Sequence, residues 1–224
     1  MNRYLHIALI TFYSIVTLAA LAVLIYIGRS YYSLPIEERF FHPMYETLKP
    51  SGFLGHGFGI IGTLLILIGL FSYMARKHLR IFWGWGLLKH WLEFHIFLCT
   101  LGTLLILFHT TFKFGGIVSV GFWSLMIVWF SGLIGRFIYI QIPRTIEGRM
   151  LSMQEVQEKI ENLETDHEDI KSLKKLKRQV KGLEHMKRIF NSWHYAHLPF
   201  ALIMLLVMVI HVSVVLYLGY KWIF

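Results

Sequence analysis

Two apolar stretches of this chain carry a histidine near each end at one shared spacing. One reads FHIFLCTLGTLLILFHT over residues 94–110, the other AHLPFALIMLLVMVIHV over residues 196–212. His95 and His109 are fourteen residues apart, and so are His197 and His211. Fourteen helical residues turn through about 1400°, roughly 40° short of four turns, so each pair shares a helix face. Its members stand about 21 Å apart along the axis. Two such helices side by side would offer two His–His pairs at two depths, the ligand set for two six-coordinate haems.

The rest of the chain places these stretches in a membrane. Of its 224 residues 56% are hydrophobic and 16% charged, and the mean hydropathy is +0.57. Several apolar runs exceed the length that spans hydrocarbon. The expected fold is all-α: a transmembrane helical bundle of five spans near residues 6–27, 52–75, 87–112, 117–140 and 193–218. The first run follows the lone Arg3 like a signal peptide, but its apolar stretch is too long for an h-region, so it is read as a retained span. Residues 29–51, with Pro35, Pro43 and Pro50, form a connection on the far side. Helix 4 is expected to stop before Pro143. Three segments follow: an N-terminal helix and outer connection (1–51), a four-helix core (52–142 and 192–224) and a charged insertion (143–191). In the insertion Ile170, Leu173, Leu176, Val180, Leu183 and Met186 recur at three- and four-residue steps, which reads as an amphipathic helical hairpin outside the membrane. Tyr220 and Trp222 in the tail are interfacial anchors.

The net charge of +9 is a topology signal before it is a partner signal, and nucleic-acid binding is not needed to explain it. With five spans, 17 of the 22 Lys and Arg residues fall on the side of the N-terminus. By the positive-inside rule that makes the N-terminus cytoplasmic. The single Cys99 excludes disulfide frameworks and thiolate clusters, and no C-x-x-C-H attaches haem covalently.

On this topology helices 3 and 5 run parallel, so His95 matches His197 in depth and His109 matches His211. A lone intramembrane histidine is ordinarily a hydrogen-bonded core residue or part of a proton path. Two equal pairs on parallel helices argue against that for all four. A zinc ion would receive only two protein ligands at either depth, too few for a closed site. Helix 2 carries Gly55 and Gly69, and helix 4 carries Gly121 and Gly135, again fourteen apart. Missing side chains there would admit a flat cofactor, although small residues also serve helix packing.

This pattern resembles the haem-binding four-helix half of respiratory cytochrome b, over half to two-thirds of the chain. The resemblance implies two non-covalent b-type haems with His95, His109, His197 and His211 as iron ligands and Gly55, Gly69, Gly121 and Gly135 at the haem faces. The chain departs from the family in its extra first helix, its insertion and its lack of a Pro-Glu-Trp-Tyr stretch. It looks like a stand-alone cytochrome b/b6-type subunit of a bacterial electron-transfer system, which implies the bacterial inner membrane. The expected function is transmembrane electron transfer between the quinone pool and a partner redox protein, such as a c-type cytochrome or an iron–sulfur protein. Quinone is a second candidate ligand, and quinol oxidoreduction a candidate activity.

Arg136, with Arg80, Lys89 and Arg144, could pair with haem propionates. His90 and His194 lie one turn before the inner ligands, and His56 and His6 lie near membrane borders. Glu93 is a candidate for proton handling, and Pro199 could set the angle of His197. Two other functions stay open. One is a membrane oxidoreductase acting on ferric iron or superoxide, which would want a basic funnel built from Arg29, Arg39, Lys49 and Lys113. The other is a non-redox transporter or assembly factor that uses the histidines for protons or metal.

Overall fold

The computed structural model describes residues 3–79, 84, 87–116, 118–141 and 170–219. All regular structure among them is helical. The elements are α1 (Arg3–Tyr32), a 3-10 turn (Glu38–Phe41), α2 (Tyr45–Leu48), α3 (Phe53–Lys77), α4 (Leu88–His109), α5 (Val118–Gln141), α6 (Ile170–Val214) and a π turn (Val215–Gly219). Among the described residues, five stretches are long and apolar enough to cross a membrane: His6–Tyr32, Tyr45–Lys77, Leu88–His109, Val118–Phe137 and Asn191–Leu218. The expected spans overlap all five. Large apolar side chains stand exposed along them, among them Phe12, Leu18, Phe71, Phe130 and Leu206. Such surface suits lipid, where every backbone polar group must be satisfied within the helix.

The chain divides into two compact units, residues 1–129 and 130–224. In the first, α1 lies beside α4. Tyr13 stacks on Phe97 at 4.3 Å, and the Tyr32 hydroxyl donates to the Phe108 carbonyl at 3.3 Å. Antiparallel α3 fits α4 closely because glycines face each other. A Cβ on Gly102 would lie 2.6 Å from the Gly62 carbonyl oxygen and 2.7 Å from Ile66 Cγ1. This is the small-residue contact by which membrane helices approach without a hydrophobic driving force.

The connection after α1 is more ordered than its three prolines imply. Arg39 is 6% exposed. Its guanidinium donates to the carbonyls of Leu34, Tyr32 and Thr111, at 3.0, 3.0 and 2.5 Å, and lies over the Tyr31 ring. One cation thus ties the end of α1 to the end of α4. Thr111 is fully buried at φ 51° and Phe112 follows at φ 60°. These left-handed residues end α4 at His109, three residues before the expected Phe112; such backbone is unfavourable for a β-branched residue and persists where surrounding contacts fix it. Arg39→Ala should therefore cost about 3 kcal/mol, since it strips a charged donor from buried carbonyls. The check is thermal unfolding in detergent. Lys49→Ala, which removes a pair with exposed Glu46 and a cation–π contact over the Tyr45 ring, should cost far less.

The second unit differs from expectation at its start. α6 runs unbroken for 45 residues, from inside the charged insertion through the last span. The helix boundary expected near Trp193 does not exist, because no glycine or proline interrupts residues 184–198. Pro199 lies well inside α6, not in its first turn. It removes one amide donor, a loss that membrane helices tolerate. The first half of the expected hairpin, with Pro143 and Arg144, lies outside the described residues, as do Arg80, Tyr220 and Trp222. The side chains of the expected apolar stripe, 170–186, are likewise outside what the structure describes.

Candidate functional site

The two histidines of α4 face the glycines of α3 in one register. Residue 109 stands opposite 55, 102 opposite 62, and 95 opposite 69. The His109 Nδ1 lies 2.7 Å from the Gly55 carbonyl oxygen, and a Cβ on Gly59 would come within 2.9 Å of the same ring. A turn-by-turn repeat of seven brings Gly102 onto Gly62. A further seven sets His95 opposite Gly69, where a built Cβ lies 3.3 Å from the His95 carbonyl oxygen. The equal spacing of histidines on one helix and glycines on the other is thus a packing register, a shared property of two helices in contact.

Each ring is held in a defined way. A carbonyl oxygen only accepts, so His109 Nδ1 carries its proton and the neutral ring's lone pair lies on Nε2. A histidine that donates one ring N–H to a backbone carbonyl is oriented as metal-binding histidines commonly are. His95 lies against the Tyr73 ring, with centroids 5.5 Å apart, and its Nδ1 is 3.6 Å from Cys99 Sγ.

In the second unit, α5 and α6 repeat part of this pattern. His197 Nδ1 lies 2.6 Å from Ser131 Oγ, and the Trp193 indole donates to the Ser131 carbonyl at 2.6 Å. His211 sits on α6 one turn before the π turn, half-buried. Arg136 Nε is buried without a hydrogen-bond partner among the described residues. A buried guanidinium nitrogen in that state suits an anionic oxygen.

At three of the four glycines singled out by spacing, the space a side chain would fill is taken by protein. The space before Gly55 is taken by the Lys49 carbonyl, and that before Gly135 by the Trp193 indole. Gly69 meets Leu98, at 3.1 Å from a built Cβ, and Gly121 is buried. Three of the four notches therefore admit protein, which the spacing alone did not disclose.

Two groups of residues acquire partners that their positions in the sequence did not disclose. Arg39 was one of four scattered outer cations; it is a buried tie. His90, which the sequence set beside the inner ligands, turns toward α1 instead. It joins His6 and Glu93, whose ligand atoms lie with its own within 4.8 Å. His90, Glu93 and Phe97 share one face of α4, while His95, Gly102 and His109 share the other. At 100° per residue the Glu93 and His95 directions differ by about 200°. The i, i+3 step between His90 and Glu93 was a readable signal for the group. His6 was not, because it arrives from a different helix. His56 lies in the first turn of α3, and His194 is exposed beside Trp193, whose ring also meets His197.

Comparison with protein-family models, curated proteins and solved structures finds no match for this chain.

Proposed function

We propose that this is a multi-pass membrane electron-transfer protein of the cytochrome b type, with His95, His109, His197 and His211 as axial ligands of two b-type haems. The observation that supports the reading is the α3–α4 register, in which His109 donates Nδ1–H to the Gly55 carbonyl and so keeps its lone pair on Nε2, the tautomer that an iron ligand needs. His197 Nδ1 likewise meets a neighbouring helix, at the Ser131 hydroxyl, which orients the ring and can accept its proton. Haem would supply a one-electron couple at each ligand pair.

The chain's own residues hold, orient and insulate. Gly55 and Ser131 fix ring orientation from the neighbouring helices. Tyr73 and the α3–α4 contact keep water from His95. Arg136 offers its buried Nε to a propionate. Gly121 would border a cofactor, while Gly55, Gly69 and Gly135 set the helix contacts around the ligands. The electrons would pass between the quinone pool and a partner redox subunit, with the N-terminus cytoplasmic. The chain itself need supply no acid–base chemistry for this.

The reading as a reductase of ferric iron or superoxide loses support on the outer side. Arg39 is consumed by three carbonyls and Lys49 is paired with Glu46 at 2.6 Å, so two of the four cations are withdrawn from any funnel. The first test is cofactor content. Pyridine haemochrome assay of purified protein should give about two non-covalent haems per chain, as bis-His ligation by four histidines requires. A colourless preparation, made with haem in excess, would sink the reading.

A further inference from the structure

The geometry points to a divalent transition-metal site at His6, His90 and Glu93, separate from the histidines on the α3 side of α4. α1 and α4 run side by side in a fixed offset: His6 meets His90 as Tyr13 meets Phe97. The His6 Nδ1 lies 3.5 Å, and the His90 Nδ1 3.3 Å, from the same carboxylate oxygen, Glu93 Oε2. Ligands bound about 2.1 Å from a tetrahedral zinc stand roughly 3.4 Å apart. Both distances match that edge, and the three donors already lie within 4.8 Å of one another.

The donor set also selects the ion. Two imidazoles and one carboxylate suit zinc and its first-row neighbours, not magnesium or calcium, which want oxygen. Three protein ligands leave a fourth position for water or an exchangeable group. The Glu93 side chain is 5% exposed, and those of His6 and His90 22% and 20%. The site is therefore sheltered at the membrane border but open to an entering ion.

Lys89 controls it. Its Nζ lies 2.9 Å from His6 Nε2 and 3.9 Å from Glu93 Oε1. An ammonium only donates, so Nε2 accepts and the neutral ring carries its proton on Nδ1, facing Glu93. Metal at Nδ1 requires the other tautomer, with the proton on Nε2. That N–H then opposes the ammonium, so Lys89 must turn outward; its side chain is 33% exposed and has somewhere to go. Lysine and metal therefore compete for one arrangement of His6 and Glu93.

The competition gives the test an unusual sign. Chelator-stripped full-length protein in detergent is titrated with Zn2+ by calorimetry, and with Co2+ by its visible d–d absorption. The wild type should bind one ion of this class saturably. His6→Ala and His90→Ala should each weaken binding by about 100-fold or more, beyond the loss typical of an outer-shell partner. Lys89→Met should strengthen it by about tenfold. His95→Leu, on the opposite face of α4, should leave Zn2+ affinity unchanged while removing one of the two haems, so the two readings fail separately. Should His6→Ala not fold, His6→Gln provides the same readout with side-chain volume retained. Unchanged affinity in the histidine variants, weaker binding in Lys89→Met, or no saturable binding in either wild type or Lys89→Met would overturn the site.

Discussion

Gly102→Leu is expected to prevent the folded chain from accumulating. A Cβ at this position already falls 2.6 Å from the Gly62 carbonyl oxygen and 2.7 Å from Ile66 Cγ1. The first contact is with backbone, which no rotamer change can relieve. Four added carbons must part α3 from α4, and with them His109 from Gly55 and His95 from Gly69. Overpacking of this kind costs about 3 kcal/mol or more, a large part of what holds a domain together. Size-exclusion profiles and thermal unfolding of detergent-solubilised protein provide the measurement. Gly57→Ala is the control. A Cβ there meets nothing within 4 Å. Removing a helix-interior glycine should raise stability by up to about 1 kcal/mol. Equal behaviour of the two variants would mean that α3 and α4 do not meet through Gly62 and Gly102.

The second large effect concerns the cofactors. Under the proposed ligand scheme, His95→Leu and His197→Leu should each abolish the same haem signal, and His109→Leu and His211→Leu the other. Haem content should fall from about two to about one per chain, because a six-coordinate b haem does not survive on one imidazole replaced by an alkyl group. Reduced-minus-oxidised spectra, with redox titration to tell the two haems apart, make the comparison. Loss of different signals in His95→Leu and His197→Leu would show that the ligands are paired otherwise. Ser131→Ala provides a finer reading. It should shift the potential of the haem bound by His197 without removing it, since it alters orientation and basicity of the ring.

Much of the fold was legible before any coordinate. Five apolar runs give five helices because hydrocarbon leaves the backbone no partner but itself. The termini of the helices were less legible. α4 stops at His109 because Thr111 and Phe112 turn left-handed under the hold of Arg39, a contact 72 residues away in sequence. α6 continues through Asn191 and Ser192, residues that often cap helices, because nothing there stops it and the apolar run beyond rewards continuation. The glycines were found by spacing. Their partners were not, since the Lys49 carbonyl and the Trp193 indole arrive from other parts of the chain.

The sequence by itself determined periodicities: which residues share a face of one helix, how far apart they stand along its axis, and that those helices are apolar enough for a membrane. His95 and His109 were on one face by arithmetic alone. Only the tertiary structure decided which neighbour each face meets. It set Gly55 and Gly69 against those histidines, fixed the His109 proton on Nδ1, buried Arg39 among carbonyls, and turned His90 and Glu93 away toward His6. The physical reason is that helix geometry is local, repeating every few residues. A helix's choice of partner depends on small residues, buried donors and close contacts contributed by segments far along the chain.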